Sequence, residues 1–197
     1  MNKCLVICPT YNRSYRFVQM VHSFYRTSVC SDLITLTAKG SITKLINSVN
    51  FKNYSYISVT NDDFVYHTHA WDKKLIDVIE RKGKGIAFGD DGSKNTQLPT
   101  TCIMSSEIPT ALKYIQYSKL THLCGDMVWQ TIGKLCNCLY YVPDVKIEHN
   151  HFMFNKADKS EYAISNSREM YKKDNAVFKE WLLHESKEDA EKVKLVL

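Results

Sequence analysis

Apolar positions follow two rhythms along this chain, and they alternate. Lys3 to Cys8 is almost wholly apolar, as expected of a strand covered on both faces, and Pro9, which has no N–H, is expected to end it. Leu33–Thr37, Ser55–Thr60, Ile86–Phe88 and Cys102–Met104 read as further strands, rich in β-branched, aromatic and sulfur-bearing residues. Between them the spacing changes to three and four. Tyr15 to Val29 places Phe17, Val18, Val21, Phe24 and Tyr25 on a helical stripe with Arg16 and Arg26 outside. Ser41–Val49 (Ile42, Leu45, Ile46, Val49), Ala70–Arg81 (Trp71, Leu75, Ile76, Val78, Ile79), Glu107–Tyr117 and Met127–Leu135 read as helices too. Leu139–Val142 and Val145–Glu148 are expected as two short strands, followed by a charge-rich tail with Phe178, Trp181 and Leu182 on an apolar stripe.

Strands and helices alternating at this spacing predict an α/β fold. Its Rossmann-like sheet is mostly parallel, with helices on both faces and a C-terminal helical extension. Such a sheet gathers at its carboxyl edge the Pro9–Arg13 turn, Asp62 and Asp63, Asp90 and Asp91, and His149 and His151. Adjacent carboxylates at the end of a buried strand repel each other and lose hydration, a cost that a cation or a reacting group offsets. A solvated turn capped by Asp is the competing reading, and for Asp90-Asp91-Gly92 a plain turn is the one we favour.

The 197 residues suit one domain, 44% hydrophobic and 24% charged. No apolar run reaches the roughly 20 residues that cross a bilayer, and the first strand is too short in its apolar part for a signal peptide. Seven cysteines, an odd number without a Cys-x-x-Cys pair, point to reduced thiols in a cytoplasmic protein rather than to a disulfide framework or a zinc site. The net charge of +5 permits a polyanionic partner without requiring one.

The run Pro9-Thr10-Tyr11-Asn12-Arg13 after a first apolar strand resembles the opening of nucleotide-sugar glycosyltransferases of the GT-A fold. Asn61-Asp62-Asp63 stands where that family keeps its Asp-x-Asp-type metal motif, with Asn in the first position in place of an acid. Gly125-Asp126-Met127-Val128-Trp129 resembles the later acidic motif, and Pro143 to His151 resembles the closing segment whose histidine completes the metal site. Taken with Trp71, Cys102–Ser106 and His122, the set is most similar to small glycosyltransferase-like proteins of bacteriophages and other viruses, which would place the chain in a host cytoplasm. The resemblance covers roughly residues 3–162, and the change to a charge-rich composition after Asn155 predicts a catalytic domain over residues 1–155 with a helical extension over 156–197 packed on it.

The resemblance also implies roles. Asp63 is the first choice of ligand for Mn²⁺ or Mg²⁺, completed by His149 or His151, with His149 favoured. Pro9, Thr10, Tyr11, Arg13, Asp62 and Trp71 would meet a nucleotide-sugar donor, UDP-linked by preference. Thr10, Tyr11 and Arg13 would lie along base and ribose, Arg13 could also pair a phosphate, and Asp62 would reach ribose or sugar. Trp71 serves equally well as the anchor of its helix. Asp126 would deprotonate an acceptor hydroxyl, N-capping being its alternative. The acceptor is a nucleic acid, such as a modified DNA base, or a glycan. Lys156, Lys159, Arg168, Lys172, Lys173 and Lys179 with Tyr162, Tyr171 and Trp181 could hold a polyanion. The interleaved Asp158, Glu161, Glu169, Asp174 and Glu180 favour an ordinary solvated helix face instead. Two other classes stay open: a metal-dependent phosphoesterase or nuclease using Asp62, Asp63, Asp90 and His149, and a nucleotide-binding module without activity.

Overall fold

A computed structural model of the protein describes residues 3–10, 14–37, 40–93, 98–151 and 167–197. The predicted Tyr11 and Arg13, and Lys156, Lys159 and Tyr162 of the tail, lie outside the described residues. Seven strands form one sheet: β1 (Cys4–Thr10), β2 (Ser31–Thr37), β3 (Tyr56–Val59), β4 (Phe64–Tyr66), β5 (Ile86–Asp90), β6 (Cys102–Ser105) and β7 (Leu139–His149). Their order is β2-β1-β3-β6-β5-β7-β4. β6 and β4 pair antiparallel with their neighbours and the other pairings are parallel, so five strands run one way.

The alternation within each strand explains why β1 carries no polar face. Leu5 and Ile7 enter one core; Cys4, Val6 and Cys8 enter the other. β6 does the same, with Cys102 and Met104 on one side and Ile103 on the other. A strand buried on both faces is apolar at nearly every position. The first core is covered by α2 (Ile42–Asn47), α4 (Glu107–Leu112), α5 (Gly125–Leu135), α6 (Arg168–His184) and α7 (Ser186–Lys194), and the second by α1 (Ser14–Thr27) and α3 (Trp71–Lys82). The tail helices belong to the first core, since Phe178, Trp181, Ala190 and Val193 are buried there beside Trp129 and Ile132. Trp181, fully enclosed, gives its indole N–H to Asp189 at 3.0 Å. It is therefore no stacking platform for a nucleic-acid base.

Four departures from the expected pattern have local causes. Pro9 does not end β1. The Ile7 carbonyl accepts from Thr60 on the β3 side, so Pro9, two residues on, faces that side too, and β3 has already ended opposite Ile7. Its missing N–H therefore has no ladder to serve, and pairing with β2 continues to Thr10. On α1 the buried residues are Met20, Ser23, Phe24 and Thr27, while Val18 and Tyr25 face solvent. α4 stops at Leu112, where Lys113 turns left-handed at φ 62°.

The fourth departure is that the two short strands expected over 139–148 are one. β7 runs through Pro143 by a bulge, Val142 pairing with Gly89 and Lys146 with Asp90. Gly89 is required there, because a Cβ would stand 2.3 Å from the Val145 carbonyl oxygen. The bulge lets β7 follow β5 and then turn its last residues onto β4.

Candidate functional site

The carboxyl ends of β1, β3, β5 and β7 meet at one edge of the sheet. The short strand β4, which sequence periodicity did not reveal, joins two of them. Its antiparallel register sets Phe64 opposite His149, so Asp63 falls beside the end of β7. The Asn150 amide donates to the Asp63 carbonyl at 2.9 Å, and the Arg16 guanidinium of α1 donates to the Asn150 carbonyl at 3.2 Å. His149 lies flat on the Phe64 ring, centroids 4.3 Å apart. Its Nε2 is then 3.4 Å from Asp63 Oδ1, with Asp63 buried and the His149 side chain 12% exposed. The His151 ring follows at 5.1 Å from that of His149.

Of the residues expected to meet a donor, Thr10 and Asp62 come together: the threonine hydroxyl donates to Asp62 Oδ2 at 2.7 Å, joining the end of β1 to the end of β3. Pro9 immediately precedes Thr10 on β1. Trp71 does not reach the edge. It is 1% exposed and packed between Phe24 and Tyr66, with ring centroids at 6.0 and 4.6 Å, which makes it the anchor of α3 and not a donor platform. Asp90 receives the Gly92 amide at 2.9 Å, the expected turn. Asp91 is buried, accepts from the Ser93 amide and the Thr100 hydroxyl, and takes the His149 amide on its carbonyl at 3.0 Å.

Asp126 is in the first turn of α5. The N-cap position belongs to Cys124, whose side chain makes no cap hydrogen bond, and the Asp126 carboxylate accepts the first-turn amide of Met127 at 2.9 Å. Burial raises its pKa above the usual carboxylate value. The Met127 amide and the nearby His149 work against that rise, and Asp91 adds to it. Asp91 and His149 are the charged side chains that act on the Asp126 carboxyl. Tyr171 on α6 is likewise pushed up, by burial first and then by Asp126.

Several contributors carried no sequence signal. Arg16 and Asn150 are separated by 134 positions. Asp174, counted among the solvated charges of the tail, is fully buried and accepts the amides of Thr121, His122 and Leu123 at 3.0, 2.8 and 2.7 Å. An acidic residue on an apolar helix face was the only hint of that role.

A divalent cation fits the donor set on chemical grounds. A carboxylate with an imidazole suits Mn²⁺, and carboxylate with diphosphate oxygens suits Mg²⁺. Neighbouring donors about 2.1 Å from one ion lie roughly 3 Å apart, close to the Asp63–His149 spacing. Among the described residues no group of three or more His, Cys, Asp or Glu side chains gathers to hold a metal.

No family model matches the chain, and no curated protein matches it by sequence. Solved structures do. A mannosyltransferase, PcManGT from Pyrobaculum calidifontis in complex with GDP-Man and Mn²⁺, superposes with a TM-score of 0.59 at 9% identity over 75% of this chain and 56% of that one. S. aureus TarS 1-349 gives 0.55 at 12% identity over 74% and 59%. A Drosophila β-1,4-galactosyltransferase 7 mutant with manganese, UDP-Gal and xylobiose gives 0.53 at 12% identity over 81% and 75%. The chain spans less than two thirds of the first two. Among the described residues no helix is long and apolar enough to cross a membrane. At these identities the likeness concerns architecture, and the architecture is that of the GT-A glycosyltransferases.

Proposed function

We propose that the protein is a metal-dependent glycosyltransferase that moves a sugar from a nucleotide-sugar donor to a hydroxyl acceptor. The observation that carries this reading is the meeting of Asp63 and His149, 3.4 Å apart, beside the Thr10–Asp62 pair at the carboxyl edge of the sheet. Asp63 and His149 would hold Mn²⁺ or Mg²⁺, with His151 next in reach. When bound, such an ion supplies positive charge to the diphosphate of the leaving nucleotide. Asp62, held by Thr10, is oriented to accept hydrogen bonds from ribose or sugar hydroxyls. Asp126 accepts the proton of the acceptor hydroxyl. Its raised pKa makes it a stronger base than a free carboxylate.

Of the tail aromatics that could stack on a nucleic-acid base, Trp181 is enclosed in the core. A glycan or other small hydroxyl compound is therefore the acceptor we favour. The test is thermal unfolding with UDP or GDP, with and without Mn²⁺. Nucleotide at about 100 times its Kd should add about 2.7 kcal/mol of apparent stability, only when metal is present. Asp63→Ala should abolish that gain. A gain independent of metal and unchanged in Asp63→Ala would overturn the assignment.

A further inference from the structure

The segment leading into Asp126 has little regular structure of its own, yet it is held from two sides. From one side, Asn47 at the end of α2 accepts the amides of Ile115 and Gln116 at 2.8 and 2.9 Å and donates to the Gln116 carbonyl at 2.7 Å. The Gln116 side chain then lies so close to Gly125 that a Cβ there would stand 2.9 Å from its Nε2. From the other side, Asp174 takes three successive amides, Thr121 to Leu123. Its neighbour Asn175 receives the Cys124 thiol at 3.7 Å. Between these grips Cys124 adopts a left-handed conformation, φ 66°, and α5 begins with Asp126 in its first turn.

A carboxylate bound by three consecutive N–H groups fixes both the path and the direction of a loop. Asn or Gln in its place offers a single acceptor oxygen and no charge. We propose that Asp174 is a positioning residue for the site: through residues 121–124 it sets where the Asp126 carboxylate stands relative to Asp91 and His149. The C-terminal helix α6 is in this sense part of the catalytic apparatus. The inference rests on the reading of Asp126 as the base, and its consequence for backbone order can be measured without any substrate.

The first experiment is amide hydrogen exchange on the whole chain, comparing wild type with Asp174→Asn. Faster exchange is expected at His122 and Leu123, extending through Gly125 to Val128, with the amides of β1 and β6 unchanged. Acceleration confined to residues 121–123 would overturn the proposal. So would uniform acceleration throughout the protein, since that marks a purely structural acid. If Asp174→Asn does not fold, Asp174→Ser, smaller and still an acceptor, is judged by the same outcomes.

The second experiment is a double-mutant cycle that follows release of UDP from UDP-galactose and of GDP from GDP-mannose. Asp174→Asn should lower kcat about 10- to 100-fold with KM for the donor within about twofold. Combined with Asp126→Asn it should cost little beyond Asp126→Asn alone, because residues acting through one another are not additive. Multiplicative losses would overturn the positioning role. If Asp126→Asn by itself leaves turnover unchanged, the base assignment fails, while the exchange result still decides whether Asp174 orders the loop.

Discussion

Asp72 and Asp174 are withdrawn from solvent as completely as Asp62 and Asp63, at 0% exposure against 4% and 3%, but they keep different company. Asp72 accepts the amides of Val29 and Cys30 and the hydroxyl of Ser31, fastening α3 to the start of β2. Asp174 accepts three amides of one loop. Asp62 and Asp63 meet side chains from other strand ends instead, the hydroxyl of Thr10 and the imidazole of His149. A carboxylate surrounded by backbone N–H groups has its charge satisfied by partners that cannot leave, and it serves the frame. A carboxylate that faces side chains at the open edge of a sheet has partners that can rotate away, so it could exchange them for a ligand. Burial alone does not separate the two kinds; the identity of the donors does.

The largest effect that would break this comparison is on turnover. Asp126→Asn should lower kcat by roughly 10²- to 10⁴-fold with nucleotide affinity largely kept, as measured by steady-state kinetics and thermal shift. Asp72→Ala should act on the other side of the division. It leaves three amides and a hydroxyl without their acceptor, at a cost of roughly 3–5 kcal/mol in urea unfolding. A loss under about 1 kcal/mol would place Asp72 outside the frame.

Gly89→Ala comes next, since its Cβ would meet the Val145 carbonyl. About 1–3 kcal/mol should be lost, together with Mn²⁺ affinity as the end of β7 moves. Unchanged metal affinity in that variant would show that the bulge does not set the position of His149. The smallest effect concerns Asp126 and pH. Its raised pKa means the folded state binds the proton more tightly than the unfolded chain does, so ionisation weakens the fold. That penalty is complete above the folded pKa and absent below the ordinary carboxylate value. Asp126→Asn should therefore melt slightly higher than wild type at pH 7, and the difference should vanish in acid.

The strands buried on both faces were legible because their residues form near-continuous apolar runs, as in β1 and β6. The edge was legible because acids and histidines in these positions make little sense within a core. What stayed hidden depended on pairing between distant segments. β4 has three residues, too few for a period, yet its register with β7 brings Asp63 to His149. Pro143 divides the apolar pattern of β7 into two, and only the bulge against Gly89 reunites it. Trp71 could be read as platform or anchor because its sequence neighbours suit both; its packing against Phe24 and Tyr66 decides. Asp174 looked solvated because its partners, the amides of residues 121–123, have no side-chain signature.

The position of Trp181 bears on how the protein is made. A chain leaving the ribosome N-terminus first presents β1, β3, β5 and β6 early, but the face they share with Ile108, Leu112, Trp129 and Ile132 stays uncovered until Phe178, Trp181 and Val193 emerge. At about 5–20 residues per second, synthesis of residues 167–197 takes a few seconds. During that interval the nascent protein offers an apolar surface of the kind that chaperones bind, and a ribosome stalled anywhere in this stretch would release a product prone to aggregate.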